Sequence, residues 1–169
     1  MCMKYVNATV GLFNSVETGP NGSIVSFRGA FDYLRAQLDS SGELFSGNFV
    51  VVTHLNLLGT DNVNNVAGCH IEQKQGILEV FVKLARVSAN VEERKVRLLD
   101  QFDLDLKELE DSGQIRQACF HYLNYRRVTR IDRMVFEPGP GSYVIKVEVR
   151  WKGEESPLAV QALYPLTVE

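Results

Sequence analysis

Ser142-Tyr143-Val144-Ile145-Lys146-Val147-Glu148-Val149-Arg150-Trp151-Lys152 carries the pattern on which the fold turns. Tyr143, Ile145, Val147, Val149 and Trp151 alternate with Lys146, Glu148, Arg150 and Lys152, and only Val144 departs from the rule. Successive side chains of a strand point to opposite faces, so this segment puts one face in a core and the other in water.

The same device recurs along the chain. Val6, Ala8, Val10 and Leu12 alternate with Asn7, Thr9 and Gly11. Phe49-Val50-Val51-Val52-Thr53-His54-Leu55 begins apolar on both faces, which suits a central strand. Leu78, Val80, Val82 and Leu84 form one face of residues 77–84, and Leu158, Val160, Ala162, Tyr164, Leu166 and Val168 repeat the pattern at the end. Shorter candidates lie at 23–27, 66–72 and 128–136. Turn chemistry separates these runs, as in Gly19-Pro20-Asn21-Gly22, Ser40-Ser41-Gly42, Gly59-Thr60-Asp61-Asn62, Gln75-Gly76 and Pro138-Gly139-Pro140-Gly141. Lys152-Gly153-Glu154-Glu155 marks the tip of a hairpin between the last two strands. Short strands at this spacing predict a mainly β fold, an antiparallel two-sheet sandwich of jelly-roll or immunoglobulin-like type.

One region reads differently. Between 91 and 109, Val96, Leu99, Phe102, Leu106 and Leu109 recur in steps of three and four, and Asp111-Ser112-Gly113 supplies a stop, which predicts a helix. Phe102-Asp103-Leu104-Asp105-Leu106 also alternates as a strand would. Ile115, Cys119, Tyr122 and Leu123 are compatible with a second helical piece, so one or two helices are expected around residues 91–125.

With 169 residues, no repeat and no long Ser/Gly/Pro linker, the chain is expected to form a single domain over 1–169. Its 45 % apolar content and formal charge of -3 argue against wholesale disorder. No apolar run approaches the ~18–20 residues of a membrane span. The opening Met1-Cys2-Met3-Lys4-Tyr5-Val6-Asn7 lacks the apolar stretch of a secretory signal. Three cysteines, Cys2, Cys69 and Cys119, are too few and too odd in number for a disulfide framework, so a reducing cytoplasm is the expected compartment.

Chemical motifs are sparse. Neither the dinucleotide fingerprint nor the Walker A pattern occurs, and the one glycine-rich loop, residues 137–142, carries prolines without N–H donors and feeds a strand. No Gly-x-Ser-x-Gly elbow frames a nucleophile, and His54, His70 and His121 all fall in expected regular structure. Cys69-His70 point to opposite faces if extended, and the paired Cys-x2-Cys spacing of structural zinc is missing, so neither metal nor cofactor is expected. The acidic cluster Asp100, Asp103, Asp105, Glu108, Glu110 and Asp111 alternates with Lys95, Arg97 and Lys107, as a solvated face would.

The one local charge imbalance holds Arg126, Arg127, Arg130 and Arg133 against Asp132, interleaved with His121, Tyr122 and Tyr125. Arginine suits carboxylate and phosphate, and tyrosine can stack on bases. The plain alternative is a solvated strand face pairing with the acidic segment upstream. An acidic pI near 5.7 argues against nucleic acid, whose affinity rests on phosphate neutralisation.

Three features together resemble an uncharacterised family of small bacterial β-sandwich proteins. These are the opening strand followed by Gly22-Ser23-Ile24-Val25-Ser26-Phe27-Arg28-Gly29-Ala30-Phe31-Asp32, the two-faced strand starting at Phe49, and the closing Pro-Gly turn into Ser142-Tyr143. The resemblance implies the sandwich fold and brings no activity, cofactor or site residue with it.

The expected function is a non-enzymatic cytoplasmic binding or assembly module. It would meet a protein partner, or a second copy, through an edge strand and the arginines at 126, 127, 130 and 133. The alternatives are an enzyme or binder of a phosphorylated or nucleotide ligand, using the same arginines with His121 as acid or base, and a nucleic-acid-binding protein.

Overall fold

In the computed structural model, the stretch from Tyr143 to Trp151 sorts as its sequence requires: Tyr143, Ile145, Val147, Val149 and Trp151 are buried, and the residues between them are half-exposed. The structure describes residues 2–20, 24–60, 76–90, 94–113, 116–117, 121–137, 139–158 and 161–169.

Two five-stranded sheets dominate. The first contains β1 (Cys2–Thr18), β2 (Ile24–Ala30), β6 (Phe49–Thr60), β9 (Arg116–Gln117) and β10 (His121–Ile131), in the order β2-β1-β6-β10-β9, all antiparallel. The second contains β3 (Tyr33–Leu34), β7 (Ile77–Arg86), β8 (Val96–Asp105), β12 (Gly141–Trp151) and β13 (Gln161–Val168), in the order β3-β13-β12-β7-β8. Its only departure from antiparallel pairing is the short β3–β13 contact. A small third sheet, β11-β5-β4, joins Met134–Val135, Leu44–Ser46 and Gln37–Leu38 at one end.

The two large sheets face each other. Leu12, Val51 and Leu55 from the first share one buried cluster with Val80, Val82, Ile145, Val147 and Val149 from the second. Each such aliphatic side chain contributes roughly 1.5–3 kcal/mol on burial. The predicted two-sheet sandwich is therefore present. Most predicted strands are longer than their apolar cores suggested, and the candidate at 66–72 lies outside the described residues.

The helix expected over 91–109 is corrected. Residues Val96–Asp105 form the strand β8, and helix begins only at α1 (Leu106–Asp111), the one helix among the described residues. The cause is a bulge. Val82 pairs with Asp100 and Lys83 with Leu98, so Leu99 is an extra residue. The inserted residue turns the inward spacing of two into a spacing of three, from Arg97 opposite Leu84 to Asp100 opposite Val82, and so breaks the alternation that marks a strand. Beyond the bulge, Phe102 and Leu104 resume strict inward burial. The Asp105 carboxylate accepts the backbone N–H groups of Lys107 and Glu108, the capping pattern that starts a helix, and Leu106 and Leu109 bury its one apolar face. The second helical piece considered over 114–125 is likewise extended where described, in β9 and in the first half of β10.

One glycine is fixed by close approach. A Cβ on Gly47 would lie 1.9 Å from the Asp132 carbonyl oxygen, so the corner before β6 seats directly on the corner after β10. That contact places Arg133 beside the third sheet. Among the described residues no helix is long and apolar enough to cross a membrane.

Candidate functional site

Strand parity decides where the arginines go. On β10 the residues Leu123 and Ile131 are buried toward the core, and Tyr125, Arg127 and Thr129 lie half-buried on the same inward face. Asn124, Arg126 and Arg130 are exposed on the outward face. The four arginines of the sequence motif therefore do not form one patch.

Arg127 closes the rim between the two sheets. Its Nε donates to Asp100 Oδ2 at 3.1 Å, and the Thr129 hydroxyl donates to the same oxygen at 2.5 Å. The Gln101 backbone N–H holds the other carboxylate oxygen at 2.9 Å. The guanidinium also lies 5.1 Å above the Phe102 ring, which in turn packs 5.8 Å from Tyr125. Asp100 is only 13 % exposed. Burial opposes its ionisation, but the hydrogen bonds from Thr129 and Arg127, with the Arg127 charge, outweigh it and hold the carboxyl below its ordinary range. The Arg127 guanidinium is correspondingly stabilised, first by its hydrogen bond to Asp100. Across the strand pair from Arg127 sits Thr53, whose fully buried hydroxyl has no hydrogen-bond partner among the described residues.

Arg133 is also committed. It contacts Asp39 at 2.5 Å and Glu43 at 3.5 Å, and its guanidinium stands 4.5 Å over Phe45. Hydrogen bonds from the Ser41 hydroxyl, the Glu43 backbone N–H and Arg133 depress the Asp39 carboxyl strongly. This arginine ties the end of β10 to the third sheet.

Arg126 and Arg130 are different. Arg126 lies 5.3 Å over the Phe27 ring, which stacks on Phe13 at 4.9 Å, and it makes no ion pair among the described residues. Arg130 makes none either, and both stay exposed. His54, the cross-strand neighbour of Arg126, donates from Nε2 to the Asn124 side-chain carbonyl on this outward face. The backbone of His121 and Tyr122 begins β10 and pairs with Gln117 and Arg116 of β9, but their side chains lie outside the described residues. Cys69, His70 and Cys119 also lie outside them. Among the described residues no three His, Cys, Asp or Glu side chains gather as metal ligands would.

The alternative in which the arginines pair with the acidic segment upstream holds for Arg127, whose partner is Asp100, whereas sequence reasoning missed Phe102 and Phe27 as partners of the arginines. The available signal was the alternation Phe102-Asp103-Leu104-Asp105, which places Asp100 on the same inward side as Phe102.

No family model matches the chain, and no curated protein matches it. Among solved structures it is similar to the CooA pilin subunit from enterotoxigenic Escherichia coli, with 9 % sequence identity and a TM-score of 0.31 over 95 % of this chain and 99 % of that one. A TM-score of that size is too low to establish a shared fold.

Proposed function

We propose that the chain is a non-enzymatic binding or assembly module whose β10 edge receives an extended, acidic segment of a protein partner. One observation carries this reading. Past Tyr122, β10 has no hydrogen-bonded neighbour on the side away from β6 among the described residues, while Arg126 and Arg130 stand four residues apart on its outward face. An edge strand offers alternate N–H and C=O groups to an added strand. Directly opposite side chains then come within ~4.5–5.5 Å, so carboxylates four residues apart on the incoming strand would meet both guanidinium groups.

Charge selects the occupant. Two copies pairing β10 about a two-fold axis centred on Val128 would set Arg126 against the partner copy's Arg130, and like charges directly opposite are destabilising. An acidic segment gains where a second copy loses. The odd, small number of cysteines favours a reducing, cytoplasmic setting for this encounter.

The test uses a synthetic extended peptide with glutamates four residues apart in a β-branched background, titrated against the full chain by fluorescence anisotropy. Exchange of Arg126 and Arg130 for serine is expected to weaken binding about tenfold or more, as loss of charge-assisted contacts does. Both side chains are exposed, so the thermal transition should be unchanged. Absence of peptide binding, or equal binding by the double variant, overturns the reading. Tighter binding to an oligonucleotide, falling steeply with salt, would transfer these arginines to a nucleic-acid ligand.

A further inference from the structure

At the end of the sandwich bearing the third sheet, a cleft of about 370 Å³ opens between the second sheet and the segment 135–137. Its apolar lining comes from Leu84 of β7 and Val135 of β11, with the buried Tyr143 at its side; Val96 of β8 borders it, but its place opposite Ala85 turns its side chain to the outer face of the sheet. Its remaining lining is charged, from Lys95, Arg97 and Glu137. That volume lies within the ~300–1,000 Å³ of typical small-molecule sites.

The charges are arranged unequally. Lys95 Nζ lies 2.9 Å from Glu137 Oε2. Arg97 spends one Nη on the Val135 carbonyl at 3.3 Å and has no ion pair of its own within hydrogen-bonding distance among the described residues. A third cation, Arg86, stands 5.9 Å over the Tyr143 ring, whose hydroxyl donates to the Gly139 carbonyl at 2.5 Å. The lining thus keeps one positive charge after Lys95 and Glu137 cancel, with Arg86 adding to the same sign nearby. The hydrogen bond and charge of Lys95, helped by Arg97, hold the Glu137 carboxyl below its ordinary range, so this position already favours a carboxylate. The Lys95–Glu137 pair is exposed on both sides, and such pairs are worth little and exchange readily.

We infer that this cleft binds a small monocarboxylate with a compact apolar body, its carboxylate on Arg97 and Lys95 and its body against Leu84, Val135 and Tyr143. The lining itself carries one net positive charge, Arg86 standing over the Tyr143 ring outside it, and this matches a monoanion better than a phosphate dianion. The guanidinium edge left open on Arg97 suits the planar fork of a carboxylate. Glu137 is then a competitor carried by the protein itself, occupying Lys95 when no ligand is bound.

Benzoate is a suitable probe, with benzamide as its neutral counterpart and inorganic phosphate as the competing anion, each titrated against the full chain by NMR. Benzoate is expected to shift the Leu84, Val135 and Tyr143 resonances in a saturable way, and benzamide to leave them unmoved. Arg97→Gln should weaken benzoate about tenfold or more, the cost of a lost charge-assisted pair. Glu137→Gln, which removes the competitor, should tighten it. No saturable benzoate shift, equal binding of benzamide, stronger binding of phosphate, or variants indistinguishable from the parent would each overturn the assignment. The tightening in Glu137→Gln tests it even if Arg97→Gln fails to fold. Exchange of Arg126 and Arg130 for serine should leave benzoate unaffected, so this site and the β10 edge fail or stand separately.

Discussion

β12 and β8 belong to the same sheet and obey different rules. β12 lies between β13 and β7, pairs without interruption from Tyr143 opposite Arg86 to Trp151 opposite Leu78, and buries every second residue. β8 has a neighbour on one side only, carries a bulge, and leaves Val96 59 % and Leu98 50 % exposed before its inward burial begins at Phe102. Two neighbours fix a strand's register, and a one-residue slip would throw its whole apolar set into water. An edge strand is free to bulge, and its sequence is free to serve other ends. At β8 those ends are the Asp100 contact with Arg127 and the Lys95–Arg97 wall of the cleft.

The largest expected effect falls on the central strand. Val147 is fully buried between Val82 of β7 and Ala162 of β13. Val147→Asp places an unpaired carboxylate where no water reaches. A cost of several kcal/mol is expected, a large share of the ~5–15 kcal/mol that holds a domain together. Urea unfolding followed by circular dichroism should then show the cooperative transition lost, or its midpoint displaced far below that of the parent. A midpoint close to the parent's would break the contrast between centre and edge.

The same contrast explains what could be read from the sequence alone. Long strands with two neighbours were legible in two ways: β1, β7 and β12 show a period of two because burial falls on a fixed face, and β6 opens on an unbroken apolar run because both its faces are covered. β8 was not, because its bulge shifts that period by one residue. β4 and β5, of two and three residues, are too short to show any period. The arginine motif was legible as charge, and the parity of a strand is enough to separate Arg126 and Arg130 from Arg127. Pairing with the acidic segment upstream was legible as an alternative, but the helical reading sent Asp100 to solvent and hid which carboxylate Arg127 would meet. The cleft left no local trace: Lys95 and Glu137 meet across 42 residues of chain, brought together by sheet register rather than by spacing.

An intermediate effect tests whether the edge is held by the Asp100 contact. The folded Asp100 carboxyl titrates below its unfolded value of about 4, so its stabilisation is fully present above that pH. It is lost as the pH falls through the depressed folded value. Asp100→Asn preserves shape and removes the charge shared by Arg127 and Thr129, and about 1–2 kcal/mol should be lost at neutral pH. Parent and variant should converge only once the pH has fallen through that depressed folded value, where the parent carboxyl is neutral as well. Urea midpoints at neutral pH and in that acid range measure this directly. A gap that persists in acid would mean that the shape of the side chain, not its charge, joins β8 to β10.

The smallest effect belongs to the outward face of β8. Leu98 points away from the core, directly opposite Lys83, whose ammonium is tied to Glu148 at 2.5 Å. Leu98→Asp gives up partial apolar cover but sets a carboxylate across from that lysine, and opposite charges in this position contribute roughly 0.2–1 kcal/mol. The two terms nearly cancel, so the urea midpoint should move by no more than about 0.5 kcal/mol in stability. It is the same exchange of apolar for acidic that Val147→Asp makes on β12, two strands away in the same sheet. A loss at Leu98 approaching the loss at Val147 would show that the outward face of β8 is covered in the folded molecule, and β8 would then have to be treated as a central strand.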